Sequence, residues 1–182
     1  MNLEKYQQYS RIARGLEKAD LVLKDARIVN VFTEEIIRGD IAIQDGIIAG
    51  IGSFHGKEER DLAGKYVCPG FIDSHLHLES TLVTPAELVT AASRHGTTTF
   101  IVDPHESANV SGLAGIDYIL DQTEDVKANV YVMMPSCVPA TAIDDNGCTL
   151  TAEDMVPYLH NRRILGLGEV MDSISVVQGE KS

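Results

Sequence analysis

From residue 66 onward the chain alternates short apolar runs with amphipathic segments, and this alternation limits the possible folds more than any other feature. The apolar runs lie at 67–78, 97–102, 130–134 and 164–170, and the helical segments between them at 84–96, 112–123 and 151–160. Strands that alternate with helices pair in parallel and are covered by those helices, so the pattern predicts an α/β fold with a parallel sheet. Because a closed (β/α)₈ barrel takes about 250 residues, residues 67–182 predict either a smaller open sheet or the N-terminal half, strands one to four, of such a barrel.

The predicted helices carry recognisable signals at their ends. Thr84 and Glu87 predict a capping box at the start of the first helix, with Pro85 at its first position. Gly96 is placed to end that helix, since glycine tolerates the left-handed conformation found there. Pro157 is expected to shorten or kink the third helix, because proline lacks the N–H group that a helix interior needs.

The residues before this alternation follow other periods. A helical stripe that includes Ile12 and Leu16 predicts an amphipathic helix over 3–18. Short β-branched runs, with an Asp45-Gly46 turn between two of them, predict a small antiparallel β domain over 20–66. The expected organisation is an N-terminal helix at 1–19, a small β domain at 20–66 and the strand–helix region at 67–182.

Composition argues against several classes of function. The 182 residues are 44% hydrophobic and 23% charged, which is typical of a globular protein. Fifteen Lys and Arg against 27 Asp and Glu give a formal charge of −12, whereas nucleic-acid binding requires clustered cations. The chain has no apolar run near the roughly 20 residues of a membrane span and no apolar signal-peptide core at its N-terminus. Three cysteines without a CxxC pair favour a reducing cytoplasm over a disulfide scaffold.

Two histidines near the end of the first predicted strand are the strongest chemical signal. Alternate side chains of a strand share a face, so His75 and His77 are expected on one side, together with Asp73 and Glu79. The opposite face would be buried under a helix and carries Ile72, Leu76 and Leu78. Two imidazoles on one face at a strand's carboxyl end are suited to binding a metal ion.

Glu169 follows the apolar residues of the fourth predicted strand. A carboxylate in a buried strand is costly unless it is paired or bound to a metal. We therefore expect Glu169 to face His75 and His77 as a third metal ligand. The alternative is a rim residue in a salt bridge with Arg162 or Arg163.

The segment Asp103-Pro104-His105-Glu106 lies where the second predicted strand ends. Catalytic groups of (β/α)₈ barrels gather at the carboxyl ends of the strands, which makes His105 and Glu106 the catalytic candidates. Pro104 is expected to leave a rigid loop before the next helix. The alternative is that these residues only cap that helix.

The string PGFIDSHLHLES at 69–80 resembles the strand-one motif of the amidohydrolase superfamily, metal-dependent hydrolases built on a (β/α)₈ barrel. Residues 21–52 look like the small β-sandwich domain of that superfamily. Within it, three further strings resemble the adenine deaminase family: HGTTTFIVDPHESANVSGL at 95–113, MMPSCVPAT at 133–141 and ILGLGEVMD at 164–172.

The resemblance implies a site as well as a fold. By position, His75 and His77 would bind the first metal, Glu169 would take the bridging place on strand four, and His105 and Glu106 would lie near the site. The cofactor implied is a divalent metal, manganese first, with iron or zinc as alternatives. The reaction implied is the conversion of adenine to hypoxanthine and ammonia.

The resemblance also implies that something is missing. Strands five to eight of the family's barrel would supply further ligands, so we expect this chain to be an inactive N-terminal portion that associates with itself or with the missing half. Two other functions stay open. One is hydrolysis of a cyclic amide, as in dihydroorotases and hydantoinases, and the other is a truncated relative without catalytic activity.

Overall fold

A computed structural model of the chain describes residues 2–179. The chain divides into two compact units, the first ending at Pro69 and the second beginning at Gly70. Among the described residues, no helix is long and apolar enough to cross a membrane.

The first unit opens with helix α1, Leu3–Ala13. The Asn2 side chain accepts a hydrogen bond from the backbone N–H of Lys5 and so caps the helix. The expected extension to residue 18 is wrong, because Gly15 takes a left-handed conformation with φ of 70°. The N–H of the next residue then returns to the carbonyl of Arg11, and the helix ends.

Five strands follow in one sheet of order β3-β2-β1-β4, with β5 also paired to β1. They are β1, Ala19–Asn30; β2, Glu35–Gln44; β3, Ile47–Gly52; β4, Gly56–Asp61; and β5, Tyr66–Val67. The prediction of an antiparallel domain is right only for β1, β2 and β3. After β3 the chain crosses to the free edge of β1, so β4 and β5 run parallel to it.

The second unit contains a four-stranded sheet of order β6-β7-β8-β9 in which all neighbours are parallel. Its strands are β6, Phe71–Leu76; β7, Thr97–Val102; β8, Asn129–Met134; and β9, Ile164–Leu167. Its helices are α2, Pro85–Ser93; α3, His105–Ser111; α4, Leu113–Gln122; α5, Ala152–Met155; and α6, Ser173–Gln178, with 3₁₀ turns at Glu79–Thr81 and Val156–His160. The predicted parallel sheet is confirmed.

Several local expectations change at the helix ends. Thr84 is the N-cap of α2, but its side chain makes no capping hydrogen bond, so the predicted capping box is wrong. A capping box forms instead at α5, between Thr151 and Asp154. Pro157 does shorten the third predicted helix: α5 ends at Met155, and Val156–His160 form a 3₁₀ turn. The loop expected after Pro104 is replaced by α3, which begins directly at His105.

The core of the second unit lies between the sheet and its helices, where Phe100, Val102, Ile116, Val132 and Leu78 are fully or almost fully buried. The prediction that Ile72 is buried is wrong, since that residue is 63% exposed. The register of β6 on β7 shifts between Phe71 and Ile72 and again before Leu76. Such irregularities interrupt the strict alternation of faces on which the prediction depended.

Candidate metal centre

His75 and His77 meet at the carboxyl end of β6. His75 is the penultimate residue of β6, and His77 is the first residue after the strand. Their Nε2 atoms lie 3.2 Å apart, and the two rings are nearly perpendicular, at 80°. The irregular end of the strand thus turns both imidazoles toward one point.

Glu169 reaches the same point from the carboxyl end of β9, the strand at the opposite edge of the sheet. It follows β9 by two residues, and its Oε1 lies 3.5 Å from Nε2 of His77. One ligand atom from each of His75, His77 and Glu169 can be chosen so that all three lie within 4.8 Å of one another. The predicted convergence of these residues is confirmed, while their role as ligands stays a prediction. Arg163 is a salt-bridge partner in the alternative interpretation of Glu169, but its guanidinium donates to the carbonyls of Val130 and Leu120.

The donor set fits a divalent ion. Two nitrogens bound to one tetrahedral ion at about 2.0–2.1 Å each lie about 3.3–3.4 Å apart. The Nε2 atoms of His75 and His77 come close to that separation, at 3.2 Å. Two imidazoles and a carboxylate suit zinc, manganese and iron alike.

Glu106 fixes the orientation of the His77 ring. Nδ1 of His77 donates to Oε2 of Glu106 over 3.0 Å, so Nε2 carries the lone pair that a metal needs. Burial works against ionisation of this carboxyl, but its hydrogen bonds and the neighbouring imidazole hold the pKa of Glu106 below its usual value. Glu106 is therefore a charged acceptor for the histidine.

Glu79 is a member of the site whose function sequence reasoning missed. Its Oε1 accepts hydrogen bonds from the backbone N–H groups of Glu106, at 3.1 Å, and Ser107, at 3.2 Å. Its Oε2 is buried without a hydrogen-bond partner. Burial, together with the neighbouring carboxyl of Glu106, raises the pKa of Glu79. The spacing His-x-His-x-Glu was the available signal, but it indicated only a shared face.

His105 is buried and uses both ring nitrogens. Nε2 donates to the carbonyl of Cys137 over 2.7 Å, and Nδ1 lies 3.3 Å from Oδ1 of Asp103. Burial lowers the pKa of this imidazole, but the two hydrogen-bonding partners outweigh burial and raise it to about 9. His105 is therefore a cation with no free ring nitrogen for a substrate, and it ties the start of α3 to the segment after β8.

Asp103 connects β7 to the segment that carries Glu169. This fully buried carboxylate accepts the backbone N–H of Glu169 on Oδ2, over 3.1 Å. The approach is close, since a Cβ atom added at Gly168 would lie 2.2 Å from Oδ2 of Asp103. Ser136 adds a second tie by donating to the carbonyl of Glu169 over 2.6 Å.

Replacing Gly168 by alanine is expected to weaken metal binding by about 10- to 100-fold, the range seen when groups that orient metal ligands are disturbed. The new methyl group would push against the Asp103 carboxylate and displace the backbone of Glu169. Titration of the metal-free protein with Mn²⁺ measures the effect. Gly166→Ala is the matched control, because a Cβ there meets only Cε of Met133, at 3.8 Å. Equal Mn²⁺ affinity in the two variants would contradict the prediction.

A cavity of about 360 Å³ opens beside these residues. Its lining consists of His77, His105, Glu106, Asn109, Ala140, Asp144, Asp145, Glu169 and Met171. Four carboxylates line it and no lysine or arginine does. The volume suits a small organic molecule.

The chain is similar to curated proteins that are named adenine deaminase. It is 58% identical over 181 residues to an adenine deaminase of Desulfitobacterium hafniense, covering 100% of this chain and 32% of that protein. It is 51% identical over 169 residues to an adenine deaminase of Clostridium acetobutylicum, covering 93% and 30%. An adenine deaminase of Bacillus velezensis is 45% identical over 181 residues, with 100% and 31% covered. The chain thus spans about a third of the length of these relatives.

A solved structure shows the same kind of fold. N-acyl-D-glutamate deacylase from Bordetella bronchiseptica, determined with zinc and a phosphonate inhibitor, superposes with a TM-score of 0.53 at 23% identity. The match covers 77% of this chain and 34% of the deacylase. The amidohydrolase family model matches residues 66–172, which is more than half of the sequence. The chain therefore belongs to the amidohydrolase family.

Proposed function

We propose that the chain is the N-terminal portion of a metal-dependent adenine deaminase, which converts adenine and water to hypoxanthine and ammonia. The observation that carries this proposal is the convergence of His75, His77 and Glu169 in a chain so similar to proteins named adenine deaminase. The proposal assigns these three residues to a divalent metal, with manganese as the first candidate and iron or zinc as alternatives.

The metal would supply Lewis acidity, which lowers the pKa of a bound water from 15.7 to about 7. The residues of this chain would then orient the reactants. In the overall reaction a C6–O bond forms and the bond from C6 to the exocyclic nitrogen breaks. One proton of the water leaves with ammonia, and the other stays on the purine product. Glu106 is the proposed catalytic residue, because its ionised carboxyl lines the cavity and contacts His77. His105 is assigned a positioning role, because neither of its ring nitrogens is free.

The fold assigned to the whole protein is a (β/α)₈ barrel, with β6 to β9 as its first four strands. The parallel order of these strands and the family membership support this assignment. The curated relatives continue beyond the region that matches this chain. Strands five to eight would come from the corresponding part of the whole protein. The division into 1–19, 20–66 and 67–182 is retained as a proposal. So is a homo-oligomer in the cytoplasm, where three free cysteines would stay reduced.

The charge of the cavity does not by itself separate adenine from the cyclic amides. Its lining has four carboxylates, but it also has the His105 cation, and the metal assigned to His75, His77 and Glu169 would add positive charge. Adenine offers ring nitrogens and an amino group to such a lining, whereas dihydroorotate and hydantoin offer a ring amide. A direct assay is therefore needed to separate these substrates.

The test is a substrate panel on the protein expressed from its complete reading frame. Adenine, dihydroorotate and hydantoin are each supplied with Mn²⁺, Fe²⁺ or Zn²⁺, and ammonia and ring opening are measured. Hypoxanthine and ammonia from adenine alone are the expected products. Hydrolysis of a cyclic amide with adenine untouched would replace the proposal by the cyclic-amide alternative, and no turnover of any substrate would indicate a non-catalytic relative.

A further inference from the structure

Helix α3 begins without the usual capping side chain. Its N-cap residue is Pro104, which makes no side-chain capping hydrogen bond. The first N–H groups of a helix have no partner within the helix, and leaving them unsatisfied is costly. The carboxylate of Glu79, from the turn after β6, takes that place by accepting from Glu106 and Ser107.

Glu106 donates its backbone N–H to Glu79 and is also the residue that orients the His77 ring. Glu106 thus has its backbone held by Glu79 and its side chain on Nδ1 of His77, at 3.0 Å. Ligand-type atoms of His77, Glu79 and Glu106 all lie within 4.8 Å of one another. A displacement of Glu79 would therefore move the acceptor that fixes the ring.

The position of Glu79 is also fixed by its own segment of the chain, the turn after β6. It follows Leu78, which is fully buried in the core of the second unit, and it opens a 3₁₀ turn closed by the hydroxyl of Thr81 on the carbonyl of Leu78. Partial burial of this carboxylate costs free energy, and the two N–H groups of α3 that Oε1 accepts offset part of that cost.

We propose that Glu79 is a positioning residue of the metal centre, which holds the Glu106 carboxylate on Nδ1 of His77 and so strengthens metal binding through Nε2. This inference rests on the proposed function, because it takes His77 to be a metal ligand. Oε1 of Glu79 accepts two N–H groups and Oε2 is buried, so the proposed role of Glu79 runs through Glu106. Direct binding of the metal through Oε2 is the alternative that the variants below separate.

The test measures Mn²⁺ affinity in variants of the protein expressed from its complete reading frame. Glu79→Leu removes the acceptor and is expected to raise the Mn²⁺ dissociation constant by about 10- to 100-fold, as loss of a group behind a metal ligand does. Glu79→Gln keeps an oxygen that can accept the same N–H groups and is expected to retain most of the affinity. Saturating Mn²⁺ should restore the kcat of Glu79→Leu, since the residues proposed to bind the metal are intact in this variant.

A matched control separates positioning from helix stability. Thr151→Ala removes the capping hydroxyl of α5 and should lower the melting temperature without changing Mn²⁺ affinity. If Glu79→Leu fails to fold, Glu79→Asp replaces it, because a side chain one methylene shorter cannot reach the same N–H groups and should also weaken binding.

The possible outcomes separate this inference from the proposed function. Unchanged Mn²⁺ affinity in Glu79→Leu or Glu79→Asp would overturn the positioning role, and so would equal losses in Glu79→Leu and Glu79→Gln, which would indicate a direct ligand. A wild-type protein that binds no Mn²⁺ and leaves adenine untouched would instead contradict the proposed function itself.

Discussion

His77→Ala is expected to lower kcat/KM for adenine by at least about 10³-fold, because a bound metal contributes several kcal/mol to the transition state and each 1.36 kcal/mol is tenfold. The substitution removes the ring that lies within 3.5 Å of both His75 and Glu169. Bound metal should fall in parallel, as measured by elemental analysis of the protein expressed from its complete reading frame.

His55→Ala is the matched control for this substitution. The side chain of His55 is 83% exposed and, among the described residues, pairs with Glu59 at the surface of the first unit. Its loss should leave metal content and turnover unchanged. A His77→Ala variant that keeps both its metal and its activity would show that the metal lies elsewhere.

Residues 1–182 expressed alone are expected to show no adenine deamination and to associate in solution. In the described sheet, β6 and β9 each have a free edge. Apolar side chains stand exposed beside those edges, among them Phe71, Leu165 and Leu167. Free strand edges and open apolar surface both favour association.

Light scattering on a sizing column measures this association, and an ammonia assay with added Mn²⁺ measures activity. The protein expressed from its complete reading frame is the control and should be active. A stable monomer of residues 1–182 with substantial turnover would mean that strands five to eight are dispensable, contrary to the proposed barrel.

Much of the second unit could be predicted because its signals are local and periodic. Apolar runs separated by helical segments imply parallel strands, and parallel strands place their carboxyl ends at one edge. With the shared strand face of the two histidines and the cost of a buried carboxylate, that rule predicts that His75, His77 and Glu169 meet, although some 90 residues separate the histidines from the glutamate in sequence. The order of strands did not need to be known in detail.

The features that could not be predicted depend on contacts between distant segments. The parallel pairing of β4 with β1 is decided by which edge remains free after β2 and β3 have paired. Helix α3 was hidden because Pro104 suggested a loop, and the acceptor for its N–H groups lies on another element, at Glu79. The engagement of both nitrogens of His105 likewise depends on Asp103 and on a backbone carbonyl after β8.

The close approach of Asp103 to Gly168 has a consequence for the evolution of these enzymes. The carboxylate fills the space in which any side chain at position 168 would begin. Selection is therefore expected to act on the two positions jointly, so that glycine at 168 persists wherever aspartate stands at 103. A lineage that loses the aspartate would be released from this constraint, and larger residues at 168 should be found there first.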